Sequence, residues 1–305
     1  MIIRVFTAGI ISLSLIAVIL LPKTKINLPF FANSFSEKIK ASTTVSVDRS
    51  PTRKVSYQDP PQLTASSIVV MDAKTSAPLY EKNPNLKHFP ASLAKLMTSL
   101  VALEKCSPTT VVTVSRVEKE GTQMGLDVGD KVTVENLLYG LLINSGNDAA
   151  AALADYCSES REKFIESMNE KALNLGLTSS HFMNPTGFDS NYQYSTAADL
   201  ARLANVAISN PLIAKIVATK STVVTDISAT KSYYLENINE LLGQVQGVEG
   251  IKTGQTEGAL ENLVTKTTRN TGSIVVVVLG SKNRFDESKK LIEWAFGNFN
   301  WASSQ

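Results

Sequence analysis

The stretch FPASLAKLMTSLVALE, residues 89–104, places a single lysine in an otherwise apolar segment that begins after a proline. Its apolar residues recur at helical spacing, which predicts a helix from Ser92 to about Lys105. Four of them would cover the buried side of that helix: Leu93, Leu96, Met97 and Leu100. Ser92 and Lys95 are three residues apart and therefore share one face.

The Ser92–Lys95 pair is suited to nucleophilic chemistry. Burial disfavours the charged form of a lysine and lowers its pKa, so a neutral Lys95 could accept the proton of Ser92. The free N–H groups at a helix start would also favour negative charge beside the serine. The spacing alone is weak evidence, because it recurs in polar surroundings at Ser160–Lys163 and Ser228–Lys231, and because Ser92 could simply cap the helix.

The segment INSGNDAA places Ser145 and Asn147 in a short loop between two apolar, helix-like stretches. Both residue types are common helix caps. A loop held by two buried helices could also present a hydroxyl and an amide rigidly to a cleft. There they could relay a proton and hold either a substrate carbonyl or the lysine.

The segment GVEGIKTGQTEG contains the only Lys-Thr-Gly tripeptide of the chain, at the end of a predicted strand. Gly254 has no side chain, so an extended peptide could approach and pair with the strand edge. Lys252 and Thr253 add a cation and a hydroxyl suited to a carboxylate. Taken alone, the tripeptide would be interpreted as a strand-end turn with a solvated lysine.

Ser-x-x-Lys, Ser-x-Asn and Lys-Thr-Gly, in this order, resemble the motifs of penicillin-binding proteins and serine β-lactamases. Further segments resemble the low-molecular-mass D-alanyl-D-alanine carboxypeptidases of the S11 peptidase family over roughly residues 66–297. The segments that carry this resemblance, besides the two that hold Ser92 and Lys252, are LLYGLLINSGNDAAAALADY, MNEKALNLGLTSSHFMNPTGF, YSTAADLARLA and VVVVLG.

The resemblance implies a catalytic role for four residues. Ser92 would attack the carbonyl between two terminal D-alanines of a peptidoglycan stem peptide, and Lys95 would take the serine proton. Ser145 and Asn147 would complete the proton network and orient the groups. β-Lactams would mimic the dipeptide and acylate Ser92.

The resemblance also implies the substrate-binding residues. Lys252 and Thr253 would hold the terminal carboxylate, and Gly254 would leave room for the peptide backbone. The backbone N–H groups of Ser92 and Gln255 would form the oxyanion hole, where such donors are often worth a few kcal/mol. No metal and no cofactor is implied.

Three positions depart from the family pattern. Thr186 stands in NPTGF where many members have histidine, and Leu260 replaces a usual glycine after the Lys-Thr-Gly strand. Ile238 stands in ENINELL where many members have arginine or threonine near the substrate carboxylate. The Ile238 departure puts one carboxylate contact in doubt.

The order of predicted elements is strands, then many helices, then strands and a last helix, which is typical of an α+β fold. We predict an antiparallel sheet flanked by helices, with a helical lobe between its two halves. By the resemblance, this is the transpeptidase-like fold of serine β-lactamases and penicillin-binding proteins.

The N-terminal region predicts delivery to a membrane surface. Residues 5–21 are 17 residues without a charge, and we interpret residues 1–22 as an uncleaved membrane anchor, with a cleaved signal segment as the alternative. Residues 23–64 are predicted to be a flexible tether, residues 65–297 the D,D-peptidase domain, and residues 298–305 a tail. We therefore expect the domain at the extracytoplasmic face of a bacterial cytoplasmic membrane, or secreted or periplasmic after cleavage. The short tail predicts that the C-terminal β-domain and amphipathic anchor of many relatives are absent.

Composition excludes several other classes. The net charge is +2, from 30 basic and 28 acidic residues, which gives no indication of nucleic-acid binding. The two histidines, His88 and His181, are far apart, and no common metal or nucleotide motif occurs. We interpret the two cysteines, Cys106 and Cys157, as buried free thiols, with a disulfide as the alternative in an oxidising compartment. The sequence says nothing about the oligomeric state.

Three alternative functions stay open. A D,D-endopeptidase that cuts peptidoglycan cross-links would use the same residues. A class A β-lactamase would need a deacylating carboxylate, and the string Glu170 to Asn174 matches its E-x-x-L-N pattern but falls on a predicted amphipathic helix. A membrane-tethered cell-wall binding module without turnover would be expected to lack some of the motif residues.

Overall fold

The computed structural model describes residues 50–270 and 272–301. The predicted anchor, residues 1–22, and the predicted tether as far as residue 49 lie outside the described residues. Within the described ranges, no single helix combines the length and apolar composition needed to span a membrane. Residues 197–208 and 211–217 meet that test only when taken together, as two helices bent by 107°.

The described part of the chain is built from short and long strands and mostly short helices. The strands are β1 (Thr52–Arg53), β2 (Ser67–Asp72), β3 (Pro78–Lys82), β4 (Val111–Thr113), β5 (Lys131–Thr133), β6 (Ser221–Thr225), β7 (Ser232–Glu236), β8 (Val248–Thr256), β9 (Leu260–Arg269), β10 (Gly272–Ser281) and β11 (Phe299–Asn300). The helices are α1 (Lys95–Lys105), preceded by a 3-10 turn (Ala91–Ala94), α2 (Val134–Leu142), α3 (Asn147–Tyr156), α4 (Arg161–Asn174), α5 (Ala197–Ile208), α6 (Pro211–Val217) and α7 (Arg284–Asn298).

Five strands form the central sheet in the order β3-β2-β10-β9-β8, and all neighbours are antiparallel. The run of valines in β10 shows how both faces are covered. Val275 and Val277 belong to the core shared with the helical lobe, whereas Val276 and Val278 belong to the core under α7. Because side chains alternate along a strand, a continuous apolar run serves a sheet buried on both sides. The predicted α+β fold is confirmed.

Most predicted helices and strands are present with bounds that differ by a few residues, and five of the helices start at a side-chain cap. Those caps accept a backbone N–H and are Thr133, Ser160, Thr196, Asn210 and Asn283. Helix α6 and the β6–β7 hairpin were not predicted. Helices α1 and α3 have no side-chain cap, and neither does the 3-10 turn before α1.

The end of the predicted tether is part of the packed domain. β1 pairs with β11, and the Tyr57 ring packs edge-on against Trp294, with 6.0 Å between the centroids. The Glu287 carboxylate of α7 accepts the backbone N–H groups of Thr64 and Ala65. Residues 52–64 therefore lie against α7, so the boundary predicted at residue 65 is too late, and the predicted tail contains β11.

The interpretation of the two cysteines as free thiols is wrong. Cys106 and Cys157 form a disulfide, with their Cα atoms 5.7 Å apart. Each is the C-cap residue of its helix, Cys106 of α1 and Cys157 of α3. The two helices pack side by side in the lobe and bring together residues that are 51 positions apart in sequence.

Loss of this disulfide should destabilise the domain. For a loop of this length, the chain-entropy estimate is about 4 kcal/mol, which corresponds to a decrease in Tm of about 10 °C for a domain of this size. We expect the Cys106→Ser and Cys157→Ser double variant to show this decrease by differential scanning calorimetry. Adding a reductant should lower the Tm of the native chain but leave that of the double variant unchanged; an unchanged native Tm would contradict the assignment.

Candidate active site

The amine of Lys95 lies at the centre of the site, fully buried at the start of α1. Its Nζ is 2.8 Å from Ser92 Oγ, 2.7 Å from Asn147 Oδ1 and 2.6 Å from the carbonyl oxygen of Thr186. These contacts come from three separate parts of the chain: the 3-10 turn, the start of α3 and a loop after α4. The structure therefore brings Ser92, Lys95 and Asn147 into direct contact, as the motifs predict.

Burial lowers the pKa of Lys95 well below its ordinary value, and the positive charge of Lys252 lowers it further. The carboxylate of Asp148 opposes this shift. A neutral amine has two N–H donors and one lone pair. If the donors of a neutral Lys95 are directed to Asn147 Oδ1 and the Thr186 carbonyl, its lone pair is left for the Ser92 hydroxyl; the role of Lys95 as proton acceptor stays a prediction.

Ser92 is held by its backbone and not by a capping bond. It lies in the 3-10 turn directly before α1, and its hydroxyl contacts Lys95 instead of a helix N–H. The preceding residue, Ala91, has a φ of +49°, which is uncommon for a residue with a side chain. Gly187 lies against this turn: a Cβ at that position would be 2.0 Å from the Ala91 oxygen. The close approach of these two backbones fixes the direction in which Ser92 points.

Asn147 and its neighbour Asp148 tie α3 to the loop before β5. The Asn147 Nδ2 donates to the carbonyl oxygen of Glu120, while its Oδ1 faces Lys95. The Asp148 carboxylate accepts four backbone N–H groups: those of Met124, Gly125 and Leu126, at 2.8, 2.8 and 3.0 Å, and that of the adjacent Ala149, at 2.8 Å. Because these bonds occupy its oxygens, Asp148 holds the loop and forms no ion pair with Lys95.

Ser145 lies in the loop between α2 and α3, two residues before Asn147, and is buried. Its φ is +62°, a second left-handed residue at the site. Within residues 50–270 and 272–301, its hydroxyl has no hydrogen-bond partner. Ser145 thus precedes Asn147 in the loop without a hydrogen bond to it or to Lys95, and its role in proton transfer stays a prediction.

The Lys-Thr-Gly residues lie on β8, the edge strand of the sheet nearest to Ser92. Lys252 and Thr253 are buried, whereas Gln255 is exposed. A Cβ on Gly254 would be 3.0 Å from the Ser92 nitrogen, so the glycine allows β8 to run directly past the serine. β8 therefore passes close to the backbone N–H of Ser92, and an oxyanion hole formed by the N–H groups of Ser92 and Gln255 stays a prediction.

Arg284 is a site residue that the sequence analysis missed. It is the first residue of α7 and is buried, and its Nη1 donates to the carbonyl oxygen of Gly254 at 2.9 Å. Burial and the charge of Arg284 lower the pKa of Lys252 to about 7. A cation in the first turn of a helix is unfavourable because it opposes the helix dipole. The unfavourable position of Arg284 was therefore the signal available in the sequence.

Comparison with known proteins agrees with this geometry. The family model described as D-alanyl-D-alanine carboxypeptidase of the S11 peptidases matches residues 53–283. The chain belongs to this family. It is 33% identical over 245 residues to the D-alanyl-D-alanine carboxypeptidase DacF of Bacillus subtilis strain 168, covering 77% of this chain and 63% of that protein. It is 38% identical over 256 residues to DacA of Haemophilus influenzae, covering 79% of this chain and 64% of that protein. These two matches thus span less than two thirds of the relatives' length.

A solved structure matches over its whole length. The crystal structure of the Streptomyces K15 DD-transpeptidase superposes with a TM-score of 0.74 at 32% sequence identity, covering 79% of this chain and all of that chain. The transpeptidase-like fold that the motifs predicted is therefore shared by the K15 DD-transpeptidase, whose crystal structure is covered completely by the match.

The three departures from the family pattern affect the site differently. Thr186 contacts Lys95 through its backbone carbonyl, so its side chain is not part of that bond, and its hydroxyl bonds Asn184 instead. Leu260 has a φ of +55°, the conformation for which the usual glycine is suited. Ile238 is half-buried, and its backbone N–H donates to Ile143 at the loop that carries Ser145.

The other copies of the short motifs have structural roles. Ser160 caps α4, and Lys163 forms an exposed ion pair with Glu166. Lys231 bonds Asp127 and Asp130 and thereby ties the β6–β7 hairpin to a neighbouring turn. The predicted E-x-x-L-N string lies on α4, where Glu170 lines a cavity beside Cys157.

Replacing Gly187 by alanine should disable the site. The residue has a φ of +94° and no room for a Cβ against the Ala91 oxygen, so the turn that holds Ser92 must move. We expect a loss of stability of about 2–3 kcal/mol and at least a roughly 10-fold slower labelling of Ser92 by a fluorescent penicillin.

Gly297 provides the matched control, because it lies in α7 and a Cβ there meets nothing within 4 Å. Gly297→Ala should label at the native rate and be slightly more stable, since alanine is the better helix former. Native-rate labelling of Gly187→Ala would contradict this account of the turn.

Proposed function

We propose that this protein is a serine D,D-carboxypeptidase that removes the terminal D-alanine from peptidoglycan stem pentapeptides. The observation that carries the proposal is the 2.8 Å contact between Ser92 Oγ and the buried amine of Lys95. A serine beside an uncharged lysine is an activated nucleophile. Family membership, with relatives named D-alanyl-D-alanine carboxypeptidase, supports the substrate class.

The first half of the reaction forms an acyl-enzyme. Lys95 accepts the Ser92 proton while Oγ attacks the carbonyl carbon between the two D-alanines. The backbone N–H groups of Ser92 and Gln255 stabilise the oxyanion. When the tetrahedral intermediate collapses, the C–N bond breaks and D-alanine leaves with the proton from Lys95, so the stem peptide remains as an ester on Ser92.

The second half releases the stem peptide. Water attacks the ester carbonyl, gives a proton to Lys95 and expels Ser92 Oγ, which recovers that proton. Asn147 and the Thr186 carbonyl hold the amine in position through both halves. β-Lactams carry a strained ring amide in place of the peptide bond between the two D-alanines, and they also carry a carboxylate. They acylate Ser92 in the same way.

Recognition of the substrate uses the open edge of β8. An extended stem peptide pairs with that edge through its backbone. Its terminal carboxylate is held by the charge of Lys252 and the hydroxyl of Thr253, with the charge of Arg284 close behind Gly254. Binding of this anion favours the protonated form of Lys252, so that the lysine is charged when substrate is present.

The proposed location is the extracytoplasmic face of a bacterial membrane. The Cys106–Cys157 disulfide supports it, because disulfides persist in oxidising compartments. The uncharged run of residues 5–21 supports membrane delivery.

A D,D-endopeptidase that cuts cross-links is the second candidate. Ile238 favours it, since an apolar residue bonded through its backbone to Ile143 stands where many relatives are expected to have a polar residue near the substrate carboxylate. An apolar wall suits a leaving group larger than D-alanine. The two activities are separated by their products: free D-alanine from a pentapeptide, or monomers from a purified cross-linked muropeptide dimer.

Fluorescent-penicillin labelling and D-alanine release test the proposed chemistry. Wild-type protein should be labelled and should release D-alanine from a pentapeptide. Ser92→Ala should show neither, because the nucleophile is removed, and Lys95→Ala should lose at least about 1,000-fold in acylation rate, because the base is removed.

The folded state of both variants is checked by circular dichroism. Lys163→Ala is the matched control, since it removes the lysine of another Ser-x-x-Lys and should keep full activity. Labelling that persists in Ser92→Ala would overturn the assignment of the nucleophile, and full activity in Lys95→Ala would overturn that of the base.

The pH dependence of kcat/KM should be bell-shaped for a substrate with a C-terminal carboxylate. Protonation of Lys95 removes the base on the acidic side. On the basic side, Lys252 loses its charge as the pH rises above about 7 and no longer attracts the carboxylate. Lys252→Arg should abolish the basic limb, because arginine remains protonated. A basic limb that persists in this variant would show that another group causes it.

A further inference from the structure

The loop of residues 184–193 fits between the nucleophile and the far end of β8. Asn184 Oδ1 accepts the backbone N–H groups of Gly187 and Phe188, at 2.7 and 3.1 Å, and so shapes the loop from within. On one side the loop gives Lys95 the Thr186 carbonyl and presses Gly187 against the 3-10 turn. On its other side it reaches the turn between β8 and β9.

The contact with that turn is made by one carboxylate, that of Asp189. Its Oδ1 accepts the Thr256 hydroxyl at 2.8 Å, and its Oδ2 accepts the backbone N–H of Gly258 at 3.0 Å. Thr256 Oγ1 in turn accepts the backbone N–H of Ala259, which closes the turn. A Cβ on Gly258 would be 2.7 Å from the Asp189 oxygen and 2.9 Å from the Phe89 ring, so the turn fits closely between them.

The position of this turn matters because the two halves of the oxyanion hole belong to different elements. In the proposed mechanism, one N–H comes from Ser92 in the 3-10 turn, and the other from Gln255 on β8, directly before Thr256. β8 is an edge strand and is hydrogen-bonded to the sheet on one side only. An oxyanion hole requires both donors at about 2.7–3.1 Å from one oxygen, so lateral movement of the strand end would open it.

We propose that Asp189 is a positioning residue that fixes the end of β8 and thereby holds the Gln255 N–H in register with the Ser92 N–H. This inference rests on the proposed function. Asp189 touches neither Ser92 nor Lys95 and acts through Thr256 and Gly258. The loop thus positions three groups of the site at once: the amine of Lys95, the nucleophile turn and the second oxyanion donor.

Acylation kinetics test the proposal. With a fluorescent penicillin, Asp189→Ala should lower the rate constant of acylation about 10- to 100-fold, with little change in the dissociation constant of the non-covalent complex. Asp189→Asn keeps an oxygen acceptor and should recover most of the rate. Glu257→Gln is the matched control: it removes one negative charge from the same exposed turn and should acylate at the native rate.

A double-mutant cycle with Thr256→Val tests the route of action. Thr256→Val alone should slow acylation, and Asp189→Ala should add little in the Thr256→Val background, because the shared hydrogen bond is already lost. Fully additive effects would show that Asp189 does not act through Thr256 and would overturn the proposal.

A small transition-state analogue separates positioning from direct substrate contact and from a general loss of structure. A boronic acid analogue of D-alanine forms a tetrahedral adduct with serine and places an oxygen in the oxyanion hole. Its affinity should fall in Asp189→Ala in parallel with the acylation rate, while the Tm changes by only a few degrees. Native affinity for the boronate, with weaker binding of the stem peptide alone, would assign Asp189 to substrate binding and overturn the proposal.

The two levels of inference fail in different ways. If wild-type protein is not labelled by penicillin at all, the proposed function is wrong. If wild-type protein is labelled and Asp189→Ala is labelled equally fast, the function stands and only the positioning role of Asp189 is wrong.

Discussion

Burial of the Lys95 amine among three oxygen atoms is the constraint on which the rest of the site depends. Its partners are the Ser92 hydroxyl, the Asn147 amide and the Thr186 carbonyl. A buried polar group without partners costs about 1–3 kcal/mol, so the 3-10 turn, the start of α3 and the loop after α4 must all meet at one nitrogen. The helical lobe is the packing solution that allows them to do so.

The site also buries several basic side chains. Lys95 and Lys252 are buried, and Arg284 lies close behind them. The Asp148 carboxylate is occupied by four backbone N–H groups, and the carboxylates of Glu261 and Glu240 act on Arg284. Such an arrangement lowers stability and is retained at functional sites. Here it lowers the pKa of Lys95 and suits the anionic substrate of the proposed function.

The surrounding structure compensates for this cost. The disulfide joins the far ends of α1 and α3, the two helices whose first residues, Lys95 and Asn147, meet at the site. On the opposite face of the sheet, residues 52–64 cover α7, whose first residue is Arg284. The disulfide thus restrains α1 and α3, and residues 52–64 restrain α7. In each case the restraint acts away from the helix end that carries the functional group.

Much of the site could be predicted from the sequence, because the relevant signals are local. Ser92 and Lys95 share a helix face, the Ser145–Asn147 loop and the Lys-Thr-Gly strand each lie within a few residues, and the apolar run of β10 predicts a strand buried on both sides. Their order along the chain was enough to indicate the family. Thr186 and Asp189 had no local signal of that kind, and Arg284 had only its position in the first turn of α7.

Sequence by itself thus determined the fold class and predicted the candidate nucleophile, its candidate base and the strand that faces them, since these follow from periodicity and short spacings. Tertiary structure alone decided which groups complete the site. The Thr186 carbonyl carries no side-chain signature, Arg284 reaches β8 from another element, and Asp189 is joined to its turn only by the way two loops pack. The pairing of Cys106 with Cys157 was equally a matter of packing, because only the parallel placement of α1 and α3 brings residues 51 positions apart into contact.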